Sequence, residues 1–248
     1  MKTLLIHDPA PDRTYEKLPG AADVLAVVAH PDDESFGLGA VLAAFADHGA
    51  RVRVVCFTHG EASTLGQTGP PLAEARAAEL RSAADVLGID EVELLAYADG
   101  CLGEVPLEEL TALVADALAP ADLLLVFDQG GITGHPDHRR ATEAACAVGA
   151  AHRIPVLAWA LPDQVAGQLN AELGTGFVGR APDQIDITID IDRDRQHDAI
   201  ACHASQSTHN PVLGRRLELS GAREHLRWLI HPRDPADRPP PEGQRTRR

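Results

Sequence analysis

The chain lacks the features that would make several function classes plausible. No stretch of its 248 residues approaches the roughly 18 consecutive apolar residues of a membrane span. The start, Met1-Lys2-Thr3-Leu4-Leu5-Ile6-His7, turns polar too early for a secretory signal, so the expectation is a cytoplasmic protein without a membrane partner. Lysine occurs only at Lys2 and Lys17, and the formal net charge is −15, which argues against nucleic acid because a phosphate backbone needs a basic face. The four cysteines, Cys56, Cys101, Cys146 and Cys202, form no C-x-x-C pair and read as buried free thiols. Gly37, Gly39 and Gly49 do not make the Gly-x-Gly-x-x-Gly turn that opens a dinucleotide site.

Apolar runs and helical patterns do alternate along the chain. Strands are predicted over 24–29, 52–58, 92–97, 122–128 and 155–160, with helices over 37–48, 72–87, 106–118 and 137–151 between them. That rhythm predicts an α/β fold with a Rossmann-like, mostly parallel sheet flanked by helices. Residues 184–192 alternate apolar and polar side chains, as a half-exposed antiparallel strand near an edge would, and a helix follows over 193–206, giving a smaller C-terminal antiparallel portion. With 44% hydrophobic residues the chain supports one domain over 1–232, and the proline- and charge-rich stretch 233–248 reads as a disordered tail.

Two polar clusters follow two of the apolar runs. Ala29-His30-Pro31-Asp32-Asp33-Glu34 comes directly after Val24-Leu25-Ala26-Val27-Val28, and Gly134-His135-Pro136-Asp137-His138 comes shortly after Leu123-Leu124-Leu125-Val126-Phe127. In open α/β sheets the ligand crevice lies beyond the carboxyl ends of the strands, where both clusters fall. Catalytic zinc takes three protein ligands from His and Asp or Glu and leaves a position open. His30, Asp33 and His138 fit that need, with Asp32 and His135 as spare polar groups for acid–base work. The competing reading of each cluster alone is a cap, in which Asp32 or Asp137 satisfies backbone N–H groups. Two clusters at strand ends favour the metal.

The order and spacing of these clusters resemble the LmbE-like (PIG-L) family of zinc-dependent deacetylases acting on N-acetylglucosaminides. The likeness extends to Thr58-His59-Gly60-Glu61, to Arg76-Ala77-Ala78-Glu79 with Leu87-Gly88, to Tyr97-Ala98-Asp99-Gly100 and to His203-Ala204-Ser205-Gln206, covering about residues 22 to 210. It implies that His30, Asp33 and His138 bind Zn2+, with Fe2+ or another divalent metal as an alternative. Asp32 is then the general base, His135 the imidazolium that stabilises the oxyanion and helps protonate the leaving amine, and Asp137 the carboxylate that orients a histidine. Glu61, Arg76 and Asp99 correspond to positions that contact the substrate. For Arg76 the competing reading is a surface pair with Glu74 or Glu79, and a lone His203 reads as a packed residue bonded to backbone. Gln196 and Thr133 stand where relatives often carry Lys and Tyr, which leaves the branch open.

The implied activity is removal of an acetyl group from a 2-acetamido sugar or its conjugate. The alternatives are an amidase for another N-acyl conjugate, such as a thiol conjugate or a natural-product intermediate, and a non-catalytic metal-containing binding module. The partner is a small molecule, and a homo-oligomer is left open.

Overall fold

The computed structural model describes residues 17–65, 70–208 and 210–232. The stretch 233–248, expected to be a disordered tail, lies outside the described residues. In chain order the elements are β1 (Asp23–Val28), α1 (Asp33–Phe36), α2 (Gly39–Asp47), β2 (Arg51–Thr58), α3 (Pro70–Leu87), β3 (Glu91–Tyr97), α4 (Leu107–Leu118) and β4 (Leu123–Phe127). There follow α5 (Gly131–Gly134), α6 (Pro136–His152), β5 (Val156–Trp159), β6 (Leu161–Pro162), α7 (Asp163–Leu173) and β7 (Gly179–Arg180). The chain closes with β8 (Ile187–Asp190), α8 (Asp194–Cys202), α9 (Ala204–Ser207), α10 (Pro211–Ser220) and β9 (Arg223–Ile230). Among the described residues no helix is long and apolar enough to cross a membrane.

Seven strands form one sheet in the order β3-β2-β1-β4-β5-β9-β8, parallel through β5 and antiparallel over the last two. β1 and β4 are buried along their whole length, which is why they read as continuous apolar runs. Their side chains divide by parity. Val24, Ala26, Val28, Leu123 and Leu125 pack with Val41, Leu80 and Leu87 from α2 and α3, while Leu25, Val27, Leu124 and Val126 pack with Leu110, Val114, Ala144 and Val148 from α4 and α6. The sheet is therefore the middle of three layers.

β1 pairs with β2 on one side and with β4 on the other. The connections lead away in opposite directions from these two strands, so a crevice opens between their carboxyl ends. Both polar clusters sit at that point.

The edge strand expected within 184–192 is present, shortened to β8 by a 3-10 turn at Pro182–Gln184. The helix expected over 193–206 is split, because His203 leaves helical geometry between α8 and α9. β9, inserted between β5 and β8, carries no readable signal: Arg223-Glu224-His225-Leu226-Arg227 alternates too many charges for a strand inside a sheet. Those charges are neutralised locally, with Arg193 bonded to Glu224 and Arg227 to Asp128.

Candidate metal centre

β1 ends at Val28, and beyond Pro31 the chain turns sharply through Asp32, whose φ of 119° is a backbone conformation that costs a non-glycine residue about 1–3 kcal/mol. The turn is tied from both sides. Asp33 Oδ2 accepts the N–H groups of Ala29 and His30 at 3.1 and 2.9 Å, and Glu34 Oε2 accepts the N–H of Asp32 at 2.9 Å. The second carboxylate oxygen of Asp33 is thereby left facing outward, 3.1 Å from His138 Nε2.

His135 is the N-cap of α6, and its Nδ1 accepts the N–H of Asp137 at 3.2 Å. His138 lies one turn further on, its Nδ1 3.1 Å from the carbonyl of Gly131. A carbonyl only accepts, so that nitrogen carries the proton and Nε2 holds a lone pair. In His30 the position is mirrored. Its Nε2 faces Asp99 Oδ1 at 3.0 Å and Asp137 Oδ2 at 3.4 Å, which places the proton there and leaves Nδ1 bare, 3.1 Å from His138 Nε2 and 3.7 Å from Asp33.

His138 Nε2 thus has two lone-pair atoms at 3.1 Å, His30 Nδ1 and Asp33 Oδ1, with no proton assigned between them, while the 3.7 Å approach of His30 Nδ1 to Asp33 is to Oδ2. Such a cluster repels itself unless a positive charge lies at its centre. The two 3.1 Å separations about His138 Nε2 are close to the edge of a tetrahedron with bonds of about 2.0–2.1 Å, and each imidazole gives its other N–H to an acceptor, as metal-bound histidines do. In the protein alone a proton meets the need. Burial works against charging His30, but hydrogen bonds to Asp137 and Asp99 and the charge of Asp33 win, raising its pKa to about 10. Burial likewise opposes ionising Asp33, yet the His138 and His30 rings hold it well below the usual carboxylate range. The ring nitrogens of His30, His135 and His138 also lie within 4.8 Å of one another, as do ligand atoms of His30, Asp99 and Asp137. Both sets are poorer: the Nδ1 of His135 is committed to its helix, and Asp99 and Asp137 face the protonated side of His30.

Asp32 is ion-paired with Arg76 at 2.9 Å. Burial raises its pKa to about 6, with Arg76 opposing and Asp33 adding to the rise. His135 shifts the other way: burial and the neighbouring His30 and His138 lower its pKa. In its neutral form the ring carries its proton on Nε2, because Nδ1 accepts the backbone N–H of Asp137.

Asp137 is fully buried. It touches His30, and its two oxygens also accept the N–H groups of Gly100 and Leu102 at 2.8 and 3.1 Å. Orientation of a histidine and capping of backbone therefore coexist in one carboxylate.

The expected substrate-contacting residues have other contacts. Arg76 is buried and donates to Asp32 and to the carbonyls of Gly60 and Pro31, so it is neither a free fork nor partner to Glu74 or Glu79. Glu79 instead accepts from Ser205. Asp99 sits against His30 and accepts the N–H of Ala62, while Glu61 Oε1 accepts the N–H of Asp99 at 3.0 Å. Glu61 is thus one residue removed from the converging donors.

Over residues 25–148 the sequence matches the family described as PIG-L, GlcNAc-PI de-N-acetylase. A 1D-myo-inositol 2-acetamido-2-deoxy-alpha-D-glucopyranoside deacetylase of Corynebacterium glutamicum is 30% identical over 75% of this chain and 75% of its own length. The chain belongs to the PIG-L family. A protein of the same description from Kineococcus radiotolerans is 35% identical over 55% of this chain, a match spanning 47% of that relative. The solved structure of the A40926 pseudoaglycone deacetylase Dbv21 shares the fold, with a TM-score of 0.62 at 20% identity, covering 86% of this chain and 99% of that one.

The matched PIG-L segment holds both histidine clusters but not His203, which lies on the far side of the site. His203 is fully buried and bonds Glu34 Oε1 through Nε2 at 2.6 Å, rather than backbone. Glu34 in turn holds the N–H of Asp32, so a pair separated by 169 residues supports the strained turn. Burial opposes charging His203, and Glu34 overcomes it to raise the pKa. Replacing Glu34 by Ala leaves that imidazole without its partner. A loss of about 3–5 kcal/mol is expected, the cost of breaking a buried pair, read from denaturant unfolding at neutral pH. Gln196 is buried and donates to the Ser35 and Phe36 carbonyls at 2.9 and 3.2 Å, bracing α1. The cysteines are free, but only Cys56 is buried; Cys101, Cys146 and Cys202 are partly exposed, lying on helix and loop faces.

Proposed function

We propose that the protein is a metal-dependent amidohydrolase that removes an acetyl group from a 2-acetamido sugar or its conjugate. The observation that carries this reading is the convergence of His30 Nδ1, Asp33 Oδ1 and His138 Nε2 beside an ion-paired Asp32. The deacetylases among the PIG-L relatives supply the reaction class.

A divalent cation held by His30, Asp33 and His138, zinc by its ligand preference, supplies Lewis acidity at an amide carbonyl. Asp32 takes the proton of the attacking water as the new C–O bond forms. Arg76 acts as a positioning residue, holding Asp32 and keeping it ionised. His135 gives a hydrogen bond through Nε2–H to the oxygen that gains charge. When the C–N bond breaks, Asp32 returns its proton to the leaving amine, so the acid and base roles fall to one carboxylate. Asp137 and Asp99 fix the tautomer and tilt of His30. Asp99 and Glu61 close the polar side of the crevice, where sugar hydroxyls have carboxylate acceptors.

Buried carboxylates left without hydroxyl partners incur a desolvation cost, so a simple amide is a poor substrate. A glucosamine amide is expected to be hydrolysed at least tenfold better, by kcat/KM, than the same amide of a simple alkylamine or of an amino acid, and chelator should stop release of the acid. A preference of tenfold or more for acylated lysine would remove the sugar while leaving a metal amidohydrolase.

A further inference from the structure

Asp128, the residue directly after β4, is none of the converging donors, yet it is only 2% exposed. Three chain segments meet on its carboxylate. Oδ2 accepts Arg180 Nε of β7 at 3.0 Å together with that residue's Nη2, and Oδ1 accepts Arg227 Nη1 of β9 at 3.1 Å, partners 52 and 99 residues away. Burial opposes its ionisation, but Arg180, the Gly130 N–H and Arg227 outweigh burial and lower the pKa.

What this carboxylate holds is a strained loop. Oδ2 also accepts the N–H of Gly130 at 2.9 Å, and the Asp128 carbonyl accepts that of Gly131 at 2.8 Å. Ile132 follows with φ 61° and ψ −61°, a backbone conformation outside the regions open to a β-branched residue. Such a residue persists only where its surroundings over-determine it. Here the segment around β7 does so twice: the Val178 N–H bonds the Ile132 carbonyl at 2.6 Å, and Arg180, two residues on, clamps Asp128. Between these two anchors lies Gly131, whose carbonyl faces His138 Nδ1 at 3.1 Å.

We propose that Asp128, clamped by Arg180 and Arg227, is a positioning residue for the metal centre: it fixes the Gly131 carbonyl so that His138 keeps its proton on Nδ1 and offers Nε2 to a cation. The inference rests on the ligand set His30, Asp33 and His138 and adds the residues that orient its third member. The rival role is purely structural, with Asp128 neutralising two arginines and tying β7 and β9 to the sheet. In that case His138 does not sense it.

The test has two readouts on the full chain. Cobalt(II) is titrated into metal-free protein and its affinity read from visible absorption; the His138 ring is read in metal-free protein at pH 8 from long-range 1H–15N NMR correlations, with His138→Gln assigning the signals. Wild type is expected to show the Nδ1–H form. Asp128→Ala is expected to lose about 10–100-fold in cobalt affinity, the usual cost of removing a residue that orients a ligand, and to shift the ring toward Nε2–H. Arg180→Met should move both readouts the same way, and Arg180→Lys, which keeps the charge without the fork, should move them less. The control is Arg53→Met, which removes the buried partner of Asp23 at the far end of β1 and should lower Tm while leaving both readouts in place. If Asp128→Ala fails to fold, the Arg180 variants decide. Affinity and ring state unchanged in the folded variants, or an Nε2–H ring in wild type, overturn the inference, while cobalt binding by wild type keeps the ligand set. If wild type binds no cobalt, the ligand set falls and the ring alone judges Asp128: a shift to Nε2–H in the variants supports its hold on His138, and no shift overturns it.

Discussion

Asp32→Asn is expected to lower kcat by about 10²–10⁴-fold, the usual worth of a positioned general base, with bound metal unchanged. The side chain lies beside the converging donors without belonging to them, and Arg76 holds it at 2.9 Å. Asparagine keeps the shape and loses the basicity. The acid limb of the pH–rate profile follows from the same residue. Burial raises Asp32 to about 6 in the protein alone, and a cation nearby shifts it downward. The base works only when ionised, so activity falls as pH drops through a value at or below about 6. Stopped-time assays from pH 4.5 to 9 on wild type and Asp32→Asn check both statements, and an Asp32→Asn variant with wild-type kcat removes the base.

The second large effect concerns metal content. His30→Ala or His138→Ala is expected to abolish stoichiometric binding of a divalent ion, because each takes away one of three donors. His135→Ala should retain the ion, since its Nδ1 is spent on the N–H of Asp137. Elemental analysis after gel filtration separates the two groups. Full metal content in His30→Ala and His138→Ala together is incompatible with the ligand set. Zinc and iron(II) both suit such an N/O site, so analysis should cover both.

Much of this arrangement was legible because the chemistry sits where strands end. The runs before His30 and before the second cluster mark β1 and β4, and adjacency of those two strands brings the clusters together. What could not be read depends on partners distant in sequence. A helix-face arginine and a buried one look alike, so the burial of Arg76 against the Pro31 and Gly60 carbonyls carries no local signature. Glu34 and His203 each sit in ordinary polar surroundings in the chain, and only the packing of the turn between α8 and α9 against α1 unites them. β9 was invisible because its charges are paired by Arg193 and Asp128, outside the strand itself.

The central claim is that His30, Asp33 and His138 hold a divalent cation. An anomalous-difference map from crystals of the metal-loaded protein, recorded on both sides of the zinc edge, tests it most directly. The account predicts one peak, about 2.0–2.2 Å from His30 Nδ1, an Asp33 carboxylate oxygen and His138 Nε2. A peak ligated instead by Asp99 and Asp137, or no peak in protein that hydrolyses its substrate, would contradict it.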